Sequence, residues 1–273
     1  MNNMSKAFGI VNFAGNHIQV DGLQAYRPVG ALSFLGRYRT IDFPISNMSN
    51  SGIDNIEVYV RRKPRSLTEH LGTGRHYNIN SKRGQLNIMY TENNRIGDIY
   101  STDVAAYIEN MDCIERIHLP YVVIAPSYMV YTADYSTFLS EHIESGADIS
   151  MMYHSVDNAK EAFLNCNTLN INKQKGVLSI EPNHGNAKNK NISMDTYVMS
   201  TELFINLVKK AHKTSSMYTF ADILNEECEE LDIRAVSHRG YFAAICDFNS
   251  YYHANMDLID LKHASDLFSP DWP

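Results

Sequence analysis

The chain contains 273 residues, with a mass of 31.0 kDa and a formal net charge of -7 at pH 7. This length predicts one large α/β domain or two small ones, and a hydrophobic fraction of 44% excludes a disordered or fibrous chain. Because 31 acidic residues outnumber 24 basic ones, the charge argues against a nucleic-acid partner.

Short apolar runs alternate with helical patterns along the chain, which is typical of a mostly parallel sheet with helices on its faces. The predicted strands are 7–13, 55–60, 121–125, 147–154, 177–181, 193–199 and 233–238. The predicted helices are 102–113, 134–145, 201–211 and 219–230. A stretch rich in Asn, Lys and Gly at 183–192 predicts an exposed loop, and the sequence shows neither an internal repeat nor a linker, which favours one domain.

The cysteine pattern and the hydropathy indicate where the chain resides. Its four cysteines are widely spaced without a CxxC pair, which indicates neither a zinc site nor a disulfide framework and favours a reducing, cytoplasmic setting. No run approaches the ~18 apolar residues of a membrane helix, and the N-terminus lacks a signal-peptide pattern. We therefore expect no membrane partner.

Basic residues are concentrated between Arg61 and Arg83, where seven of them accompany a single acidic residue, Glu69. Such a segment is compatible with a solvated loop face and with a site for phosphate-bearing small molecules, because Arg side chains match phosphate oxygens. The candidate phosphate or effector ligands, taken together with two arginines nearer the N-terminus, are Arg27, Arg39, Arg61, Arg62, Lys63 and Arg65.

Three collinear segments carry a more specific signal. Residues 27–47, RPVGALSFLGRYRTIDFPISN, resemble the segment KPAVPFGGKYRLIDFPLSN of the glucose-1-phosphate adenylyltransferase family. Residues 240–258 are similar to that family's GYWxDVGTxxSYxxANMDLL, and residues 192–199 to its strand ASMGIYVF. The resemblance covers essentially the whole chain.

The resemblance implies a fold and a domain organisation. It implies an α/β fold, a Rossmann-like nucleotidyltransferase domain over residues 1–265, with a mixed, mostly parallel sheet and a nucleotide pocket at the carboxyl ends of its strands. Family members continue into a left-handed parallel β-helix domain. We therefore expect residues 266–273 to begin a linker to a domain that is missing here.

The machinery of the family's reaction is altered at the matching positions. The resemblance implies that glucose-1-phosphate and ATP react with Mg²⁺ held by two aspartates. Tyr128 stands at the first aspartate position and Ala244 at the second. The glycine-rich phosphate loop GGGxGxRLxPLT is replaced by residues 11–21, which hold one glycine and no Arg or Lys. We therefore predict no catalytic residue, metal site or cofactor in this chain, and expect Mg²⁺ and ATP in a catalytic partner.

Other matched positions leave alternatives open. The family's GTADA turn becomes residues 102–106, TDVAA, and its EKP becomes Glu181-Pro182 without the lysine. Glu181, Ser193 and Asp195 are candidates for a vestigial sugar pocket, although Glu181 also suits an ordinary strand end. Asp247 is compatible with a replacement metal ligand, but the sequence favours an N-cap of the helix that carries Tyr251 to Met256.

The resemblance is closest to the non-catalytic, D-type regulatory subunit of bacterial glycogen biosynthesis. It implies a hetero-oligomer with a catalytic glucose-1-phosphate adenylyltransferase subunit and a phosphorylated sugar as effector. One alternative is an active sugar-1-phosphate nucleotidyltransferase with a metal site rebuilt from Asp98, Asp103 or Asp247. The other is a stand-alone phosphometabolite sensor that uses the basic cluster.

Overall fold

The protein was described from a computed structural model that covers residues 6–72, 74–79, 84–91 and 100–268. In these ranges the strands are β1 Ala7–Asn12, β2 Ser33–Phe34, β3 Tyr38–Arg39, β4 Asn55–Val60, β5 Gln85–Tyr90, β6 Tyr121–Pro126, β7 Met129–Tyr131, β8 Ile149–Val156, β9 Asn167–Ile171, β10 Val177–Pro182, β11 Lys190–Ser200, β12 Ile233–Ser237 and β13 Phe242–Ala244. The α-helices are α1 Asp42–Asn50, α2 Arg65–Leu71, α3 Asp103–Glu109, α4 Met111–Glu115, α5 Tyr135–Ser145, α6 Thr201–Thr214, α7 Phe220–Glu227, α8 Phe248–Asp257 and α9 Leu261–Leu267.

The described ranges form one nine-stranded mixed sheet with two small two-stranded sheets beside it. The order β10-β9-β11-β6-β1-β4-β5 forms its main path, and β8 and β12 extend from β11. β11 is antiparallel to β6, β8 and β9, while β1, β4, β5 and β12 are parallel to their neighbours. Only β10 and β11 therefore run against the common direction, which confirms the predicted mostly parallel sheet.

Both faces of the sheet are buried. Along β1, Phe8 and Ile10 join one hydrophobic cluster while Ala7 and Val11 join the other, because side chains alternate between the faces of a strand. Such burial on both faces produces the continuous apolar runs by which the sequence predicts the central strands.

Each predicted strand is present, with ends that differ by a few residues. The predicted helix 102–113 is interrupted at Asn110, whose φ of -107° and ψ of 17° separate α3 from α4. β11 already begins at Lys190, inside the stretch predicted as a loop. The domain boundary predicted after residue 265 falls inside α9, where Leu267 is buried. Residues 269–273 of the predicted linker lie outside the described residues.

The carboxyl ends of β1 and β6 meet at one edge of the sheet. Ser127 N donates to Asn12 O at 2.8 Å, which joins the loops that leave these two strands. β7 then pairs with β13 in antiparallel register, with Ala244 opposite Met129, and Ile245 N donates to Tyr128 O at 2.9 Å. The two positions that resemble altered metal ligands, Tyr128 and Ala244, thereby lie on neighbouring backbone segments.

The described residues contain no parallel β-helix. None of the described helices is long and apolar enough to cross a membrane.

Candidate functional site

The side chain of Tyr128 fills the first altered metal position. It is only 3% exposed, and its hydroxyl donates a 2.6 Å hydrogen bond to Asp195 Oδ2. Burial, reinforced by the charge of Asp195, raises the pKa of Tyr128 well above the ordinary value of a phenol. The ring is therefore a neutral hydrogen-bond donor at neutral pH, and its hydroxyl cannot offer Mg²⁺ the anionic oxygen that a carboxylate would.

Asp195 is the centre of a local hydrogen-bond network. It lies where the pairing of β11 with β8 shifts register, and its φ of 45° is in the left-handed region that residues other than Gly rarely adopt. Its Oδ1 accepts from Ser193 Oγ at 3.1 Å, from the hydroxyl of Tyr197 at 3.2 Å and from Asn167 Nδ2 at 3.4 Å. Three neighbours and Tyr128 thus hold the carboxylate in a fixed position.

Asp195 and Asp103 line a cavity of about 280 Å³ between the loop after β1 and the start of α3. Asp103 accepts from the backbone N–H groups of Val104 and Phe220 and from Asn12 Nδ2. Burial raises the pKa of Asp103 to about 6, although these hydrogen bonds oppose the rise. Oδ1 of Asn12 is buried without a partner. The cavity, which we call the acceptor cavity, therefore presents carboxylate and amide oxygens that suit the hydroxyl or amino groups of a ligand.

The three residues predicted for a sugar pocket are only partly brought together. Asp195 lines the acceptor cavity. Ser193 is fully buried, and its hydroxyl donates a hydrogen bond to Asp195. Glu181 lies elsewhere, since it pairs in register with Thr168 of β9 and its side chain accepts from Asn170 and Ser179. Asn167 lines the acceptor cavity, and side chains alternate between the two faces of a strand, so Thr168 lies on the opposite face of β9. Glu181 shares the face of its partner Thr168 and therefore points away from the cavity. Glu181 is thus an exposed strand residue and not part of the pocket.

A second cavity of about 330 Å³ adjoins the first, and Phe13 and Asn16 line both. We call it the cationic cavity, because four of the predicted basic residues line it: Arg27, Arg61, Arg62 and Lys63. Lys63 Nζ donates to the carbonyl oxygens of Gln24 and Ala25 at 2.9 and 2.7 Å.

Arg61 stands at the junction of the two cavities. Its guanidinium lies over the ring of Phe13, with 5.5 Å to the ring centroid, and donates to Asn16 Oδ1 and to Ser101 O. Burial and the neighbouring charge of Arg62 lower the pKa of Arg61. The oxygens that Arg61 and Lys63 contact are neutral, so their positive charges stay available to attract an anion.

Two predicted phosphate ligands lie outside the cationic cavity. Arg65 is on α2, where its 88% exposed side chain forms an i,i+4 ion pair with Glu69 at 2.8 Å. Arg39 Nη1 donates to Ala31 O at 2.5 Å, and the backbone N–H of Arg39 bonds Asp42 Oδ2. Arg39 therefore stabilises the local loop, and neither side chain lines the cationic cavity.

The carboxylates considered for a rebuilt metal site do not assemble one. Asp247 is the N-cap of α8, where its side chain accepts from Ser250 N at 2.7 Å, which confirms the capping interpretation. Asp98 lies outside the described residues. In the ranges that the structure covers, no three His, Cys, Asp or Glu residues are arranged to hold a metal ion. The two matched positions carry a phenol and a methyl group, which do not fit the Mg²⁺ site that the family resemblance implies.

Asn12 and Asn167 line the acceptor cavity and were not among the predicted site residues. A signal existed for Asn12, because a polar residue directly after a buried strand lies at the edge where parallel sheets bind ligands. Asn167 carries no such local signal. It reaches the cavity only through the pairing of β9 with β11, which joins segments distant in the sequence.

Comparisons with known proteins agree with this geometry. The sequence profile described as "Nucleotidyl transferase" matches residues 9–260. A glucose-1-phosphate adenylyltransferase of Clostridioides difficile (strain 630) is 29% identical over 250 residues, which cover 89% of this chain and 64% of that protein. The glycogen biosynthesis protein GlgD of Geobacillus stearothermophilus is 26% identical over 279 residues, which cover 100% of this chain and 69% of the relative.

A solved structure shares the fold. It is described as a glucose-1-phosphate thymidylyltransferase from Bacillus anthracis and superposes with a TM-score of 0.73 at 14% identity, covering 97% of this chain and 98% of that one. The chain spans just under two thirds of the length of the first curated relatives that it matches. The profile match over most of the sequence shows that the chain belongs to the nucleotidyl transferase family.

Proposed function

We propose that this chain is a regulatory, non-catalytic subunit of glucose-1-phosphate adenylyltransferase that acts in glycogen biosynthesis. The observation that carries the proposal is the buried hydrogen bond between Tyr128 and Asp195, beside Ala244, at the place where the family resemblance implies two metal-binding carboxylates. The similarity to named glucose-1-phosphate adenylyltransferases and to a glycogen biosynthesis protein supports the pathway. Cytoplasmic location stays a prediction.

The chemistry requires a partner. Transfer of a nucleotidyl group depends on cations that balance the developing charge on the phosphates, and this chain offers Mg²⁺ a phenol and a methyl group at the two matched positions. A catalytic subunit of the same family would hold Mg²⁺ and ATP, and the chain described here would modulate it within a hetero-oligomer. Coupling of this kind needs contacts that differ between two states of the partner.

The effector of the proposed subunit is a phosphorylated sugar bound in the cationic cavity. Four basic residues around about 330 Å³ suit a small anion, because guanidinium groups donate in pairs to phosphate oxygens. The acceptor cavity adjoins it through Phe13 and Asn16, so that a sugar could donate its hydroxyls to Asp195 while its phosphate contacts Arg61. The sugar hydroxyls of such a ligand would meet acceptor oxygens, and its phosphate would meet cations.

An assay of the chain alone and in mixture tests the proposal. Purified chain receives ATP, glucose-1-phosphate and Mg²⁺, and pyrophosphate release is measured with and without a catalytic homologue from the same organism. We expect no release by the chain alone and a changed kcat or effector response in the mixture. A matched addition of heat-unfolded chain controls for non-specific protein effects. Turnover by the isolated chain as fast as that of the mixture would overturn the proposal in favour of an active enzyme.

A further inference from the structure

Two buried cysteine thiols, Cys166 and Cys246, lie against each other beneath the cavities. Their Sγ atoms are 3.1 Å apart, and the two residues are 80 positions apart in the sequence. Cys166 is fully buried and Cys246 is 7% exposed. Both are free thiols. A disulfide has a sulfur–sulfur distance of about 2.05 Å, so the two atoms need to approach by only about 1 Å to become bonded.

Backbone hydrogen bonds hold both cysteines in place. Asn183 N donates to Cys166 O at 2.8 Å, which fixes the residue just before β9. Cys246 N donates to Ser250 Oγ at 2.9 Å, which ties it to the first turn of α8. Because both backbone segments are anchored in this way, the contact between the two thiols is part of the folded structure.

We propose that Cys166 and Cys246 form a reversible disulfide when the protein meets a peroxide. Cys246, the residue of the pair with residual exposure, attacks one oxygen of hydrogen peroxide, the O–O bond breaks, and a sulfenic acid and one water result. The thiol of Cys166 then displaces the hydroxyl group from that sulfur, which forms the S–S bond and releases a second water. Two thiols are oxidised and one peroxide is reduced, and a dithiol reductant reverses the reaction.

The cross-link joins the walls of both cavities. Cys246 O accepts from Gln19 N at 3.2 Å, and Gln19 lines the cationic cavity. Asn167, which follows Cys166, lines the acceptor cavity and bonds Asp195. A bond between the two sulfurs thus ties the loop after β1 to the start of β9. This inference does not depend on the regulatory role proposed above, since it concerns only the chemistry of this chain.

The other two cysteines provide internal controls. Cys113 is exposed on α4, and Cys228 is half-buried, where its Sγ donates to Leu224 O at 3.2 Å. If exposure alone governed oxidation, Cys113 would be the first residue modified.

The test is peptide mapping of the full chain after treatment with hydrogen peroxide. Remaining thiols are alkylated in denaturant, the protein is digested without reductant, and a peptide pair linked through Cys166 and Cys246 is sought by mass spectrometry. We expect this pair as the main intramolecular cross-link, lost on treatment with dithiothreitol. Recovery of both residues as alkylated thiols, or of either as a lone sulfinic acid, would overturn the proposal.

Thermal unfolding of the oxidised and the reduced protein supplies a second readout. A cross-link that closes a loop of this length restricts the unfolded chain, so the oxidised protein should melt roughly 5 to 10 °C above the reduced protein. Cys246→Ala should abolish the shift, whereas Cys113→Ala should keep it. Equal melting temperatures of oxidised and reduced protein, or a shift lost in Cys113→Ala, would contradict the assignment.

Discussion

The hydroxyl of Tyr128 donates a 2.6 Å hydrogen bond to Asp195 Oδ2 across 67 residues of sequence. Ala244, the second matched position, stands opposite Met129, the residue that follows Tyr128. A neutral phenol and a methyl group have thus replaced the carboxylates that the family resemblance implies. The hydrogen bond also keeps Asp195 engaged, so this carboxylate is held by its neighbours in the fold.

Restoring both carboxylates should create divalent-cation affinity. The double substitution Tyr128→Asp with Ala244→Asp places two carboxylates on neighbouring backbone segments, and hard cations prefer oxygen ligands. We expect Mn²⁺, used as a probe for Mg²⁺, to bind the double variant measurably by isothermal titration calorimetry and the unsubstituted chain not at all.

The pair Tyr128→Asn with Ala244→Asn is the matched control for that titration, because it changes size in nearly the same way without adding charge. Far-UV circular dichroism establishes that both double variants fold. Equal Mn²⁺ binding by the Asp pair and the Asn pair would show that these positions are not the remains of a metal site.

The cationic cavity makes a second prediction. Arg62→Ala removes a positive charge from the lining of the cavity. The variant should therefore need a severalfold higher concentration of fructose-1,6-bisphosphate or glucose-6-phosphate to reach the same rise in melting temperature. Arg65→Ala should leave the titration unchanged, since Arg65 points to solvent and pairs with Glu69.

Arg65→Ala is thus the matched control, with the same chemical change three residues further along the chain. Unsubstituted glucose serves as the ligand without phosphate, and it should shift the melting temperature little. If Arg62→Ala and Arg65→Ala respond alike, the cavity does not bind the anion, and the basic cluster is a solvated surface.

The sequence allowed the core of the fold to be predicted because local hydrophobicity determines it. The run 121–125 is apolar throughout and forms a central strand. β7 and β13 have three residues each and form a sheet by pairing with one another, so no local pattern indicates them. β5 lies at the edge of the sheet and is largely half-exposed, which leaves its pattern weak.

The candidate site was predictable only in part, for a related reason. The basic residues from Arg61 to Lys63 are adjacent in sequence, so their shared cavity could be expected. The bond from Tyr128 to Asp195 and the contact of Cys166 with Cys246 join segments 67 and 80 residues apart. Such pairs depend on strand order and on the register of β11, which short sequence patterns do not encode.

Buried histidine makes the protein sensitive to acid. Burial lowers the pKa of His238 from 6.5 to about 4, and neighbouring His154 adds to the effect while the hydrogen bond to Thr132 O opposes it. Because the folded pKa is depressed, the neutral ring is favoured by folding. The contribution of His238 to stability should therefore be constant above pH 6.5 and should be lost as the pH drops to about 4, by on the order of 3 kcal/mol.

Urea unfolding between pH 4 and pH 8 measures this slope. His238→Asn removes the titrating ring and should flatten the curve in that window, whatever its effect at pH 8. His253→Asn, on the exposed face of α8, is the control and should keep the parental slope. Parallel curves for the parent and His238→Asn would contradict the prediction.

Glu57 should act in the opposite direction. It is a carboxyl on β4 with 2% exposure, and burial raises its pKa from 4.5 to about 7, despite the 2.9 Å hydrogen bond from the hydroxyl of Tyr59. A raised folded pKa means that folding favours the protonated form. The free energy of unfolding should therefore decline as the pH rises from 4.5 to 7 and level off above it. The whole contribution is on the order of 3 kcal/mol.

Glu57→Gln tests this directly, since an amide keeps the acceptor oxygen for Tyr59 and never ionises. We expect the variant to match the parent near pH 4.5 and to be more stable at pH 8, because the parent must there bury a charge. Glu115→Gln, which removes a half-exposed ion pair with Lys209, should change stability by less than about 1 kcal/mol at either pH. A Glu57→Gln protein that loses stability at pH 8 would show that the carboxylate is paired in the fold and not merely desolvated.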